Sequence, residues 1–497
     1  MSEKTSTTIE APSEADVARH IKRGFVWLGA ASAVSRLLDA GSTLGVLWFV
    51  SREELGLATL AWSLAVFVEA FNGLGIGTAL VQSPTLERED LSDAFWYAMA
   101  VAVVFTGGVC ALSPWLAELW GAPAIAGLIR VSALKLLFVS AALVPLSMLN
   151  RAMSFERIAA CNTLATLGSG VTTLALAALG FGAWALVLGQ LVYGVVIFCA
   201  SHVLSPFRPA LRFSLARIRP MAAFGVRSAA SGVVYSLYRN ADYFFLGRYL
   251  GVAAVGIYRV GFDLAMTPTM AVLQIVNRAA LPGYAKLQGD RPALSRTFSW
   301  TIKSLILMMA PVTVVVAFSA HDLLSIVDKG RWVDAAQVAA WLAWATLLRS
   351  LAHLFPQLFS AVGRPTLALV DSLLSALVLC LMFVCALQFL GDSQGILVMG
   401  WAWFAASVLL LLVLVRFAQL VIPFSLRQLI ESVLPGAGGL LLLSALGFAV
   451  EYGLLGLLPW LRLIVRLLLL LCAYFLYLRF ALGMRREDLV GTREAKL

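Results

Sequence analysis

Charge is scarce in this chain. Only 13% of its 497 residues are charged, while 61% are apolar. A soluble domain runs nearer about 45–50% apolar and about 25% charged. No stretch between the apolar runs is long enough to form a soluble domain of its own. Histidine is scarcer still. His20, His202, His321 and His353 lie far apart without ligand spacing, which excludes a histidine metal centre. The six cysteines (Cys110, Cys161, Cys199, Cys380, Cys385 and Cys472) sit inside apolar runs, and none forms a C-x-x-C pair. Neither a disulfide framework nor a zinc site follows from such spacing. There is no G-x-x-x-x-G-K-[ST], hence no built-in ATPase. The run Gly73–Gly77 (GLGIG) has no strand before it and lacks G-x-G-x-x-G spacing, so close helix packing or a hinge is expected there. No short apolar core with a small-residue cleavage site precedes residue 24, so the first span is read as an uncleaved signal.

Long apolar runs fill the space that these absences leave. About fourteen of them reach the ~20 residues of a membrane-spanning helix. They cover approximately 24–50, 55–82, 91–113, 127–149, 156–179, 182–204, 221–248, 252–280, 298–320, 335–361, 365–389, 394–420, 433–456 and 460–482. The fold class is all-α and integral to a membrane.

The net charge of +10 has a simple origin in such a chain. Lys and Arg collect in cytoplasmic loops and set orientation. With the N-terminus inside, the inside segments hold Lys22, Arg23, Arg151, Arg157, Arg208, Arg212, Arg217, Arg219, Arg291, Arg296, Arg485 and Arg486, among others. The outside loops hold few: Arg52, Arg248, Lys329, Arg331 and Arg462. Both termini are therefore expected in the cytoplasm, with an even number of spans. The basic residues are spread over many loops, which argues against nucleic acid as a partner. Residues 1–23 read as a disordered cytoplasmic tail and 483–497 as a second one. Pro114, Gly121 and Pro123 are expected to end the third span. Residues 205–220, including PALRFSLARIRP (209–220), alternate basic and apolar residues. That pattern suits an amphipathic linker on an anionic membrane surface.

The linker divides two copies of one pattern. Arg36-Leu-Leu-Asp39 lies in the first span and Arg239-Asn-Ala-Asp242 in the seventh. Each is followed by an apolar run, a short turn and a glycine opening the next span: Gly56 in the first copy, Gly256 in the second. Both copies start from the same side, so the repeats are parallel, with an axis along the membrane normal. The chain divides accordingly into a first lobe of six spans (24–204), the linker, a second lobe of six spans (221–420) and two C-terminal spans (421–482). A central cavity is expected between the lobes.

At i,i+3 a charged pair shares one helix face. A charge at the bilayer centre costs at least about 2.5 kcal/mol on insertion scales, so such pairs point to a polar interior. The candidate binding residues are Arg36, Asp39, Glu69, Asn72, Arg239, Asp242, Arg259 and Asp263. Arg130, Lys135, Arg227, Arg349, His353 and Asp371 are further polar groups within the spans. Two readings stay open. Acid and base can neutralise each other and hold helices together, or the arginines of corresponding helices can line a hydrated cavity for an anionic headgroup. Pro268, Pro311 and Pro356 are expected to kink or hinge their helices.

Several stretches resemble the bacterial polysaccharide flippases, the polysaccharide-transporter branch of the multidrug/oligosaccharidyl-lipid/polysaccharide exporter superfamily. They are 73–83 (GLGIGTALVQS), 91–97 (LSDAFWY), 150–159 (NRAMSFERIA), 179–191 (LGFGAWALVLGQL), 204–215 (LSPFRPALRFSL), 239–258 (RNADYFFLGRYLGVAAVGIY) and 361–370 (AVGRPTLALV). The resemblance runs from about 24 to about 420. It implies two six-helix lobes around a cationic cavity and alternating access without covalent chemistry. It implies a cargo of undecaprenyl-pyrophosphate-linked oligosaccharide in the bacterial inner membrane, for O-antigen, capsule or exopolysaccharide. Membrane lipids, a polysaccharide polymerase and chain-length machinery are the implied partners, and no cofactor is implied. Tyr238 and Tyr243 flank the second charged pair where aliphatic residues are common in such proteins, which leaves sugar stacking open. The rival readings are a related drug or lipid exporter and a polytopic glycan polymerase or ligase. The last would need a catalytic set on a large outer loop, and no outer loop has one.

Overall fold

The computed structural model describes residues 34–36, 38–83, 86–453, 456, 458–481 and 483. The two expected tails and the start of the first span lie outside the described residues, as do the side chains of Arg227 and Tyr238.

Every described element is helical. In chain order they are α1 (38–46, with 34–36 also helical), α2 Arg52–Glu69, a 3-10 turn Asn72–Gly75, α3 Ile76–Gln82, α4 Arg88–Leu119, α5 Ile125–Arg151, α6 Phe155–Ala178, α7 Ala183–Leu204, α8 Leu215–Arg239 and α9 Ala241–Tyr249. There follow α10 Val252–Lys286, α11 Arg291–Ile326, α12 Asp334–Ala352, α13 Phe355–Ala361, α14 Pro365–Gln394, α15 Val398–Gln419, α16 Leu426–Gly453 and α17 Pro459–Leu476. Eleven of these helical stretches are long and apolar enough to cross a membrane. The three expected spans outside that set are the first, seventh and eighth, the ones that carry the charged pairs.

Local sequence explains the helix starts. Ser51 and Glu54 form a capping box: the Ser51 N–H donates to Glu54 Oε2 at 2.8 Å and the Glu54 N–H to Ser51 Oγ at 3.2 Å. Ser425 and Gln428 repeat it before α16, at 2.8 and 3.1 Å. Asp290 caps α11 by accepting from the Ala293 N–H at 3.0 Å, with Pro292 in the first turn.

One expected break is absent. Pro114 sits inside α4, which continues to Leu119. The reversal comes at Gly121, in the left-handed region at φ 61°. Pro114 cannot donate to the Cys110 carbonyl, but the Ser113 hydroxyl does, at 2.8 Å. Neighbouring Ser hydroxyls take up carbonyls freed in this way, which lets a membrane helix run through a proline. Ser113 Oγ in turn accepts from Arg130 Nε at 2.9 Å. Pro356 acts differently: it lies in the first turn of α13, where the tenth span is divided into α12 and α13.

Backbone contacts group the chain into two units. The first comprises residues up to Val50, Leu64–Ala117 and Pro123–Ala230; the second Ser51–Ser63, Glu118–Ala122 and the chain from Ser231. In the first, Ile76, Leu80, Phe95, Val144, Phe207 and Ile218 form a buried core. In the second, Phe298, Ile302, Met309, Phe355 and Phe359 do the same. Glycines bring helices close. A Cβ on Gly436 would lie 2.0 Å from Ile306 Cγ2, and one on Gly439 3.0 Å from the Tyr474 ring. Thus α16 lies tightly against α11 and α17.

Residues 206–213 of the linker form no helix, and α8 begins at Leu215. Within the first unit the linker is fastened to the start of α4. Asp93 Oδ1 accepts from the Ser214 N–H at 2.8 Å, Ser92 Oγ from the Ala210 N–H at 3.1 Å, and Arg212 pairs with Glu89 at 3.0 Å.

Candidate functional site

The first unit carries four of the candidate residues. Arg36 is half-buried and Asp39 exposed on α1. That helix meets α6, with Ser35 Oγ 3.4 Å from Thr163 Oγ1. Glu69 ends α2 and pairs with Lys135 of α5 at 2.9 Å. Lys135 also donates to Gln190 Oε1 at 3.2 Å and lies 5.3 Å over the Tyr193 ring, both on α7. With Lys135 8% exposed and Glu69 25%, the pair lies mostly out of solvent. It joins α2, α5 and α7 and is a helix-fastening contact. Sequence reading named both Glu69 and Lys135, each as a charged group inside an apolar span, but not their pairing.

Asn72 accepts from the Ser140 hydroxyl at 2.6 Å. It stands where the second span breaks. Gly73, Leu74 and Gly75 all have positive φ, at 57°, 43° and 79°. A left-handed leucine is uncommon and strained. Gly75 is forced by proximity as well, since a Cβ there would lie 2.1 Å from the Gly225 carbonyl oxygen.

The second unit holds the other four. Arg239 and Asp242 do not share a helix face as their spacing predicts. The backbone leaves the helix at Asn240 (φ −117°, ψ 10°), so Arg239 closes α8 and Asp242 opens α9. Arg239 is exposed, whereas Asp242 is fully buried. Asp242 accepts from the Tyr258 hydroxyl at 2.8 Å and from the Tyr243 N–H at 2.9 Å. Tyr258 accepts in turn from Trp403 Nε1 at 2.8 Å, and the Arg349 guanidinium lies 4.3 Å over the Trp403 ring. Beyond Arg349 a cavity of about 20 Å³, room for one water, is lined by Arg349, His353, Asp371, Ser375 and Ser407. This chain of polar contacts links α9, α10, α15, α12 and α14. Tyr243 is buried edge-on to Tyr258 and Phe262, at 5.7 and 5.8 Å, which removes it from sugar stacking. Arg259 and Asp263 do pair along α10, at 2.5 Å. The Arg259 guanidinium also covers the Trp62 ring at 4.3 Å. Both residues stay partly open, at 22% and 29% exposed.

The geometry thus sorts the eight candidates. Asn72 and Asp242 are engaged in helix packing, and Glu69 fastens three helices while staying 25% exposed. Arg36, Asp39, Arg239, Arg259 and Asp263 keep exposed surface. No group of three or more His, Cys, Asp or Glu among the described residues could hold a metal.

Residues 48–337 match the family described as polysaccharide biosynthesis protein, more than half of the chain. The chain belongs to that family. Among its relatives is the succinoglycan biosynthesis transport protein ExoT of Rhizobium meliloti (strain 1021), 25% identical over 63% of this chain and 64% of its own length. The lipopolysaccharide biosynthesis protein WzxC of Escherichia coli (strain K12) is 23% identical over 67% of this chain and 69% of its own. The teichuronic acid biosynthesis protein TuaB of Bacillus subtilis (strain 168) is 23% identical over 74% and 76%. The fold is shared with solved membrane transporters. A structure of the lipid II flippase MurJ, in an inward closed conformation, superposes with a TM-score of 0.75 at 14% identity, covering 94% of this chain and all of that one. An inward-facing multidrug resistance MATE family transporter gives 0.62 at 16% identity, covering 78% and 95%.

Proposed function

We propose that this protein flips oligosaccharide repeat units, linked to undecaprenyl pyrophosphate, across the bacterial inner membrane. The units feed synthesis of a surface polysaccharide. The observation that carries this reading is the set of partly or fully open arginines, Arg36, Arg239 and Arg259, on the first, seventh and eighth spans of a polysaccharide biosynthesis family member. An anionic pyrophosphate needs cationic groups where lipid cannot neutralise it, and Arg forks match phosphate oxygens. Asp39 and Asp263 keep those arginines oriented and leave hydroxyl-rich sugar a set of acceptors. The lipid tail stays in the bilayer. Both termini face the cytoplasm, and the two repeats expose the headgroup site alternately to each side. A polymerase and chain-length machinery take the product on the outer face. No bond is made or broken, so the protein is a transporter and not an enzyme.

The test is reconstitution of the full chain in liposomes with a radiolabelled undecaprenyl-pyrophosphoryl oligosaccharide. The flipped fraction is read by a glycosidase confined to one side. Protein-dependent loss of protection is the expected result. Protection equal to that of empty liposomes rejects the reading.

A further inference from the structure

Within the second unit, α2 and α10 cross at one pair of glycines. A Cβ on Gly56 would lie 2.0 Å from the Val252 carbonyl oxygen, and one on Gly256 2.0 Å from the Arg52 carbonyl oxygen. Each glycine therefore stands over the carbonyl four residues before the other. These are also the matching glycines of the two sequence copies. Equivalent positions of two repeats related by a two-fold axis meet each other only where that axis passes. The reciprocal contact marks that place, and in a carrier built from parallel repeats the pathway follows the axis.

Three contacts surround the crossing. Arg52 pairs with Asp334 at 2.7 Å and donates to the Arg331 carbonyl through Nε at 3.1 Å. Leu60 lies against Gly247, whose Cβ would meet it at 3.0 Å. Trp120 Nε1 donates to the Phe244 carbonyl at 3.3 Å. The crossing differs in kind from the interleaved aromatic core around Phe298 and Phe355. It is backbone against backbone, rimmed by an ion pair that is 34% and 62% exposed, and such pairs separate at little cost.

We infer that Gly56 and Gly256, latched by Arg52 and Asp334, form the separable seal that closes the pathway toward the outer face. The inference rests on the transport reading above and its cytoplasmic N-terminus. Glycine is required because any side chain props the two helices apart, and the ion pair holds them once they meet. Opening to the outside breaks the ion pair and parts the glycines.

The experiment uses the full chain in cells, with the six native cysteines replaced and Leu60→Cys introduced. Leu60 is 0% exposed and lies one turn beyond Gly56. A membrane-impermeant maleimide added outside should label it weakly. Gly56→Val, Gly256→Val and the milder Arg52→Gln should each raise labelling several-fold, the valine variants most. Arg52→Gln leaves the backbone crossing untouched, so its effect is readable even where a valine variant fails to insert. Labelling unchanged in all inserted variants, or Gly256→Val protein flipping cargo at the parent rate, overturns the seal. The labelling does not depend on cargo. A parent chain that flips no lipid-linked oligosaccharide but labels as described rejects the transport reading and leaves the seal standing.

Discussion

The hydroxyl of Tyr258 donates to Asp242 at 2.8 Å while accepting from Trp403 at the same distance. Both Asp242 and Tyr258 are 0% exposed. The hydrogens of the Trp403–Tyr258–Asp242 relay therefore all point one way, and removing its middle member strands two groups. Tyr258→Phe should destabilise the protein by about 1–3 kcal/mol, the cost of leaving a buried polar group unmade. Thermal unfolding in detergent measures it. Adding Asp242→Asn should cost less than the two single changes together, because neighbours in one network are not additive. Additive losses would show that the two residues act separately.

Lys135 and Glu69 form a second dependence of this kind. Lys135→Met should cost about 1–3 kcal/mol, somewhat below the range for a fully buried pair because Glu69 keeps some exposure. Lys135→Met with Glu69→Gln should recover part of that loss. Unfolding midpoints of the parent and the two variants decide the matter: a double variant no more stable than Lys135→Met alone rules out mutual compensation.

Arg239 gives the opposite expectation. It is exposed at the end of α8, so Arg239→Ala should stay within about 0.5 kcal/mol of the parent in stability. Glycan export should fall nonetheless. Arg239→Lys should restore export only in part, since an ammonium is a point charge without the guanidinium fork. Full export by the alanine variant would exclude Arg239 from cargo binding.

The orientation can be read independently. A reporter active only outside the membrane, fused after Arg331, should give signal, and after Arg291 none. The reverse pattern would sink the assignment of both termini to the cytoplasm.

Much of the fold was legible because hydropathy needs no tertiary information. An apolar run of spanning length is a helix whatever surrounds it, since backbone groups in lipid must bond internally. The repeat showed Gly56 and Gly256 as equivalent positions, though not that they meet, and the Ser51-x-x-Glu54 cap sets the start of α2 at Arg52, ahead of the expected span. What was not legible depends on partners remote in sequence. The i,i+3 reading of Arg239 and Asp242 assumed an unbroken helix, and nothing local announces the turn at Asn240. Glu69 finds Lys135 across 66 positions. Tyr243 read as free for sugar because its cover, Tyr258 and Phe262, lies on another helix. Pro114 read as a stop because the neighbouring serine that takes over the freed carbonyl looks like any other serine.

The membership of α2 in both contact units sets a timetable for biosynthesis. Its residues 51–63 group with chain from Ser231 onward, while its remainder groups with the first unit. A ribosome adding about 5–20 residues per second needs roughly ten to forty seconds to travel from Arg52 to Gly256. Throughout that interval the bare backbone face of Gly56 has no helix to receive it. The newborn first half therefore waits in the bilayer with one helix only partly docked, and any protein that holds nascent membrane helices has its longest opportunity there.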